Sequence, residues 1–455
     1  MKKLAILLLT FSFILAATPV NSIQAASKTT KVNKTTKATK KAETSISPDT
    51  EKDKIVTTPE WIKDIVNKKP IVVKNPVTRS QLASLIVKAT SQTGSNTTNT
   101  IQAFNDVNST NPVNTVVALG FIDPNNYPNG FKGNTPVTRY ELATWLSNGL
   151  AQADQSFAEA LKDMTGDLAI IPLREFNLGK LDKGMFPAIS VVMGTGLMNA
   201  DQKGEFRCDE KLSIEEVTKI LDNYKKVATK KAMDFYGLNE LREVALTGTN
   251  MVTSGYTLSV HNVAMTGKLG GKYNLPIYFD DPEWTGLVSN PNIKDFYNKK
   301  IKVRNNIADI YVHKLIFINH YSDTSIYQNM FFGKKIDMGG TYEDTWLFAQ
   351  YSFTSNKDKL NHNSIGDYTT LDAGWGISTK ASDIYGVLSY PRDRGLNNVI
   401  IQGAGPTKQI YNKGEGETQL WSRNRVHGGI GISVLSDRPN YETVWGFQSK
   451  HLYTK

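Results

Sequence analysis

The chain has 455 residues, enough for two or three domains, and carries one cysteine and a formal net charge of +10. A single cysteine, Cys208, excludes an intramolecular disulfide and reads as a small buried filler. The charge is local: Lys2, Lys3 and the eight lysines against four acids in residues 27–54 leave only +4 elsewhere, too little to argue for a DNA-binding face.

Met1-Lys2-Lys3, the apolar run Leu4 to Ala17 and the small residues around Ser22 to Ala26 form the three-part pattern of a secretory signal peptide, expected over 1–26. The run falls short of the ~20 residues a spanning helix needs, and no later stretch reaches that length. Residues 27–54 have almost no large apolar side chain, and Lys28, Lys31, Lys34, Lys37 and Lys40 recur at every third position. Such a segment cannot offset its chain entropy by burial, which predicts a flexible basic tether.

From Trp61 the apolar pattern turns helical and repeats itself. Pro76-Val77-Thr78-Arg79-Ser80-Gln81-Leu82-Ala83 returns as Pro136-Val137-Thr138-Arg139-Tyr140-Glu141-Leu142-Ala143, and more weakly as Leu212-Ser213-Ile214-Glu215-Glu216-Val217. In each copy Thr78, Thr138 or Ser213 precedes Gln81, Glu141 or Glu216 at capping-box spacing, which predicts three helix starts. Upstream of the second cap lie Phe104-Asn105-Asp106-Val107, a short helical stretch Val113 to Leu119, then Gly120-Phe121-Ile122-Asp123 and Gly130-Phe131. In the third copy Leu161-Lys162-Asp163-Met164 is expected to stand for the Phe-x-Asp-Val segment, Gly196-Leu197-Met198 for the glycine turn and Phe206 for Phe131.

These motifs resemble S-layer homology domains over about residues 59–230, with repeats at 55–100 (compressed), 101–155 and 156–235 (divergent, with an insertion). In that family three repeats pack around a pseudo-threefold axis, and the grooves between them hold a secondary cell-wall polymer, often bearing ketal-linked pyruvate. The resemblance implies a secreted protein attached to such a polymer at the cell wall, with Thr78, Arg79, Asp106, Thr138 and Arg139 as polymer-binding candidates. The chemistry agrees: a guanidinium grips a carboxylate through two parallel hydrogen bonds, and a helix N-terminus adds amide donors and the positive end of a dipole. Capping alone accounts for Thr78 and Thr138, whereas an arginine beside a positive dipole end is unfavourable without an anion. Asp106 is either a cap or a groove hydrogen-bonder. Ile214 replaces the third arginine, so two grooves at most are expected to work.

Beyond residue 245 the pattern alternates, at Tyr256 to Val260, Lys300 to Ile318, Thr345 to Phe353, Val399 to Ile401 and Gly429 to Leu435. This predicts a β-rich domain over 245–455, a sandwich or open barrel, so the fold class is multidomain: helical repeats followed by strands. The six histidines, at 261, 313, 320, 362, 427 and 451, lack metal-ligand spacing, and no serine-hydrolase elbow occurs. No metal or cofactor is expected. Asp280-Asp281-Pro282-Glu283 and Glu343-Asp344 read as solvated turns, with a wall-anchored polysaccharide hydrolase using Asp281 and Glu343 as the alternative. Trp284, Trp346, Trp375, Trp421 and Trp445 read as core, with a sugar-stacking face as the alternative. An outer-membrane barrel fits poorly with three repeats, a basic tether, and Lys300, Lys302 and Arg304 in one strand pattern.

Overall fold

A computed structural model describes residues 76–90, 102–264, 300–319, 325–331, 345–361, 394–396, 399–400, 410–426, 429–435 and 441–449. The expected signal peptide, the tether, the front of the first repeat, both acidic clusters, His320, His362, His427, His451, Trp284 and Trp375 lie outside the described residues.

The helical layer comprises α1 (Arg79–Ala89), α2 (Pro112–Ala118), α3 (Arg139–Ala153), α4 (Gln155–Asp163), α5 (Arg174–Asn177), α6 (Phe186–Gly194), α7 (Ile214–Val227) and α8 (Tyr236–Thr247). Helices α1, α3 and α7 start at the three predicted caps: the hydroxyls of Thr78, Thr138 and Ser213 accept from the amides of Gln81, Glu141 and Glu216. Their buried faces match position for position, Leu82, Leu142 and Val217 first, then Ile86, Leu146 and Leu221 one turn on.

What joins the three copies is a ring of backbone hydrogen bonds just ahead of the caps. Val77 N–H donates to the Leu212 carbonyl at 2.8 Å, Leu212 to Val137 at 3.4 Å, and Val137 back to Val77 at 2.8 Å. The three side chains are buried, at 1%, 0% and 0% exposure, so an apolar plug sits where the chains close on one another. Short bridges Pro76–Ser213, Thr78–Pro136 and Thr138–Lys211 repeat the same pairing around the ring. The result is an approximate threefold arrangement of helix N-termini.

Helices α2 and α6 end at the glycines the sequence marks, with Gly120 at φ 76° and Gly196 at φ 74°, where an L side chain is strained. Helix α6 is apolar almost throughout and forms the middle of the layer, between α3, α4 and α8.

The strands are β1 (Tyr256–Ala264), β2 (Ile301–Lys302), β3 (Ala308–Asn319), β4 (Thr345–Ser355), β5 (Leu360–Asn361), β6 (Val399–Ile400), β7 (Ile410–Tyr411), β8 (Thr418–Val426), β9 (Gly429–Leu435) and β10 (Tyr441–Ser449), with a short helix α9 (Gln328–Phe331) after β3. A sheet of order β2-β3-β4-β8-β6 is antiparallel except for the parallel β6–β8 pair, and its two edge strands do not pair among the described residues. Strands β1, β10 and β9 form a separate antiparallel sheet, and β5 pairs with β7.

The hydrophobic core does not stop at the boundary expected near 235–245. Ile316, Ile318, Trp346, Phe348 and Trp421 on one face of the larger sheet belong to the same buried cluster as the helices. The intervening positions, Leu315, Phe317, Leu347, Ala349, Tyr351 and Leu420, form a second cluster on the other face with Tyr256 and Val303. Helix α8 spans the expected boundary and hands the chain to the sheet, where Leu315 N–H donates to the Gly248 carbonyl at 3.0 Å and Asn250 exchanges two 2.7 Å hydrogen bonds with the Phe317 backbone.

Candidate functional site

Each arginine one residue past a cap reaches into the neighbouring repeat. Arg79 donates from Nε to Glu141 at 2.7 Å and from Nη1 to the Phe131 carbonyl at 2.8 Å, with its guanidinium 4.9 Å from the centre of the Tyr127 ring. Arg139 donates from Nε to the Phe206 carbonyl at 2.7 Å and from Nη2 to the Asn199 carbonyl at 2.9 Å, and lies 5.0 Å from the Phe206 ring centre. Phe131 and Phe206, paired by the sequence comparison, thus offer the same backbone acceptor in the two grooves.

The side chains are 18% and 11% exposed, so both guanidiniums are largely covered by the neighbouring copy. Burial lowers the Arg139 pKa from its ordinary value, against the raising influence of Glu210. These contacts use part of each fork, and the remaining N–H groups have no partner among the described residues. Both arginines are therefore inter-repeat clamps that still carry donors for an anion.

The amide donors expected from the helix N-termini are spent. Arg79 and Ser80 N–H bond to the carbonyls of Thr135 and Gly133, both at 3.0 Å, and Arg139 and Tyr140 N–H to those of Glu210 and Cys208, at 2.9 and 3.1 Å. The next amide in each helix goes to the cap hydroxyl of Thr78 or Thr138. The strand preceding each cap, extended by the ring around the axis, presents its carbonyls where a ligand would otherwise sit. Only the dipole and the guanidinium remain on offer, and the two threonines act as caps.

Glu141 shows how the first groove differs from the local pattern. In the first and third copies the residue three past the cap reaches back to complete a capping box, Gln81 to Thr78 N–H at 2.9 Å and Glu216 to Ser213 N–H at 2.9 Å. Glu141 instead accepts from Arg79 and from the Tyr127 hydroxyl, at 2.8 Å, while Trp145 Nε1 donates to that hydroxyl at 2.8 Å. Burial and the Glu141 carboxylate push the Tyr127 phenol well above its usual pKa, which keeps it a donor. Trp145, Tyr127, Glu141 and Arg79 thus form one connected row, from the buried indole to the part-exposed guanidinium. Capping spacing had accounted for Glu141, and Tyr127 gave no signal of its own.

Asp106 holds a loop. Its carboxylate accepts from Phe131 N–H at 2.9 Å and Lys132 N–H at 2.8 Å, fixing the stretch where Gly130 and Lys132 take positive φ angles of 86° and 51°. Those amides hold its pKa below the ordinary carboxylate value. The counterpart in the third copy is Glu175, which accepts from Arg207 N–H at 2.8 Å, Arg207 having φ 57° as Lys132 does. Asp163, expected in that role, instead pairs with Arg242 at 2.8 Å, because the insertion places it at the end of α4 against α8. Replacing Asp106 by alanine is expected to cost about 1 kcal/mol and to speed hydrogen exchange at Phe131 and Lys132 selectively, read by exchange mass spectrometry. Unchanged exchange there would mean water restores the lost acceptor.

Ile214 stands where the third guanidinium would be, and its potential partners ahead of Pro76 lie outside the described residues. Cys208 is half-buried, its thiol pushed up to about 11 by burial, as befits packing rather than reactivity. Among the described residues no three His, Cys, Asp or Glu side chains converge as a metal site. No helix among them is long and apolar enough to cross a membrane. No family model and no curated protein matches the chain.

Proposed function

We propose that this chain is a secreted cell-surface protein that attaches non-covalently to a secondary cell-wall polysaccharide through its S-layer-homology-like repeats. The reading is carried by the closed ring of Val77, Leu212 and Val137 hydrogen bonds, which gathers three capped helix starts around one axis. In the first two grooves a partly occupied guanidinium and an aromatic ring lie side by side. That combination suits a sugar bearing an acidic substituent such as a pyruvate ketal: the free N–H donors bind the carboxylate, and beside Arg79 the part-exposed Tyr127 ring packs against the C–H face, whereas Phe206 is buried beneath Arg139.

The full chain should co-sediment with isolated wall sacculi and lose that property once the secondary polymer is stripped. Arg79→Lys combined with Arg139→Lys keeps both charges but removes the fork; some stability is lost with the inter-repeat contacts, and sedimentation measured where the variant is still folded should fall at least tenfold. Equal sedimentation of stripped and intact walls, or full binding by the double variant, would overturn the assignment.

A further inference from the structure

Where the helices stop covering the larger sheet, its face changes character. Ile316, Ile318, Trp346 and Phe348 are buried against the helical layer. Next along β3, after a bulge between Val312 and Lys314, Lys314 stands in register with Gln350 of β4, which stands in register with Trp421 of β8. An amine, an amide and an indole therefore form one row across three strands. That row walls a cavity of ≈ 640 Å³ whose other side includes Phe176 and Asn177 of α5. The volume is within the range of small-molecule sites and fits one or two sugar units.

The two charges in this cavity are not paired with each other. Lys314 is the one cation and Glu417 the one carboxylate among the described lining residues. Glu417 does not answer the lysine: it accepts from the Ser352 hydroxyl and lies 3.4 Å from His313 Nε2. The Lys314 side chain makes no hydrogen bond or ion pair among the described residues. Partial burial pushes its amine down to about 8, with no counter-ion beside it. A structural lysine would extend its amine to solvent or to Glu417; this one lines a cavity with amides and aromatic surface around it.

We infer that this cavity is a binding site for an acidic sugar, separate from the repeat grooves, with the ligand carboxylate on Lys314, its hydroxyls on Gln350, Gln419 and Asn177, and its apolar ring face against Trp421 and Phe176. Each part of the lining has a counterpart in such a ligand. A wholly apolar molecule would leave the Lys314 amine unpaired, and a simple anion would leave most of the volume empty.

The probes are glucuronate and its neutral counterpart glucose, titrated into the full chain by calorimetry at pH 7. Glucuronate should bind saturably and glucose at least tenfold more weakly. Lys314→Met preserves volume and removes the buried charge, so it should abolish the preference with no fall in melting temperature. Arg79→Lys/Arg139→Lys should leave glucuronate binding intact. Affinity should drop as pH rises through about 8; the other titratable groups facing this cavity are Glu417, Tyr411 and His313. Absence of glucuronate binding, equal binding of glucose, an unaffected Lys314→Met variant, or loss in the arginine variant would each overturn the assignment.

Discussion

Replacing Glu240 by alanine is expected to lower the unfolding free energy by about 3 kcal/mol or more and to loosen the sheet from the helical layer. The residue lies on α8 with 0% exposure, and its carboxylate accepts from Asn250 Nδ2 at 2.8 Å, Ser325 Oγ at 2.9 Å and Ile326 N–H at 2.8 Å. Truncation leaves three buried donors without an acceptor, each a penalty of about 1–3 kcal/mol, and opens a cavity. Asn250 also holds the Phe317 backbone, so the damage passes directly to β3. Denaturant unfolding followed separately by far-ultraviolet dichroism and tryptophan fluorescence measures both effects. A loss below about 1 kcal/mol would mean water takes over the carboxylate's place.

The same group sets a pH dependence. Burial outweighs the hydrogen bonds donated to Glu240 and pushes its carboxyl from 4.5 up to about 7. Between those values the folded state keeps a proton that the unfolded chain releases. The contribution is therefore complete below about pH 4.5 and is lost as pH rises through about 7, on the order of 3 kcal/mol in total. Glu240→Gln, which does not titrate, should flatten that slope; an equal slope in parent and variant would assign it to other groups.

Legibility in the sequence followed how local each determinant is. Caps at Thr78, Thr138 and Ser213 need only their own next three residues, and the helices begin there. Alternation from Thr345 to Phe353 corresponds to β4, whereas β8 carries Gln419, Ser422, Arg423, Asn424 and Arg425 and gave no clean period. The Arg79–Glu141 pair joins residues 62 apart, and only the ring around the axis makes them neighbours. Glu175 escaped notice because the insertion in the third copy moved the loop-holding carboxylate onto α5 while leaving the misleading Asp163 in sequence alignment. Glu240 stands in sequence beside Arg242 and Glu243, and nothing local marks it as buried; that α8 is covered there by the 325–327 segment is a tertiary fact.

Gly194→Ala is the second large effect expected, and its sign is the informative part. Within a helix this change ordinarily stabilises by about 1 kcal/mol, because alanine restricts the unfolded chain more than glycine does. Here a Cβ on Gly194 would lie 2.6 Å from Leu238 Cα and 2.9 Å from its backbone nitrogen, while one on Gly237 would lie 3.2 Å from the Gly194 carbonyl oxygen. Helices α6 and α8 thus cross backbone to backbone, and no side chain can swing aside to make room. Insertion of a methyl must push α8 away, weakening the packing of Leu238 and Leu241 and shifting Glu240, two residues on, from its three donors. The expected loss is about 3 kcal/mol or more, the upper part of the overpacking range, since core and polar seam fail together. Gly196→Ala is the control: at φ 74° with nothing within 4 Å of the added methyl, it should cost only the left-handed backbone penalty of about 1–2 kcal/mol. A Gly194→Ala protein as stable as its parent would mean that α8 can move freely from α6, and the continuous core from helices to sheet would then not be what holds this half of the molecule together.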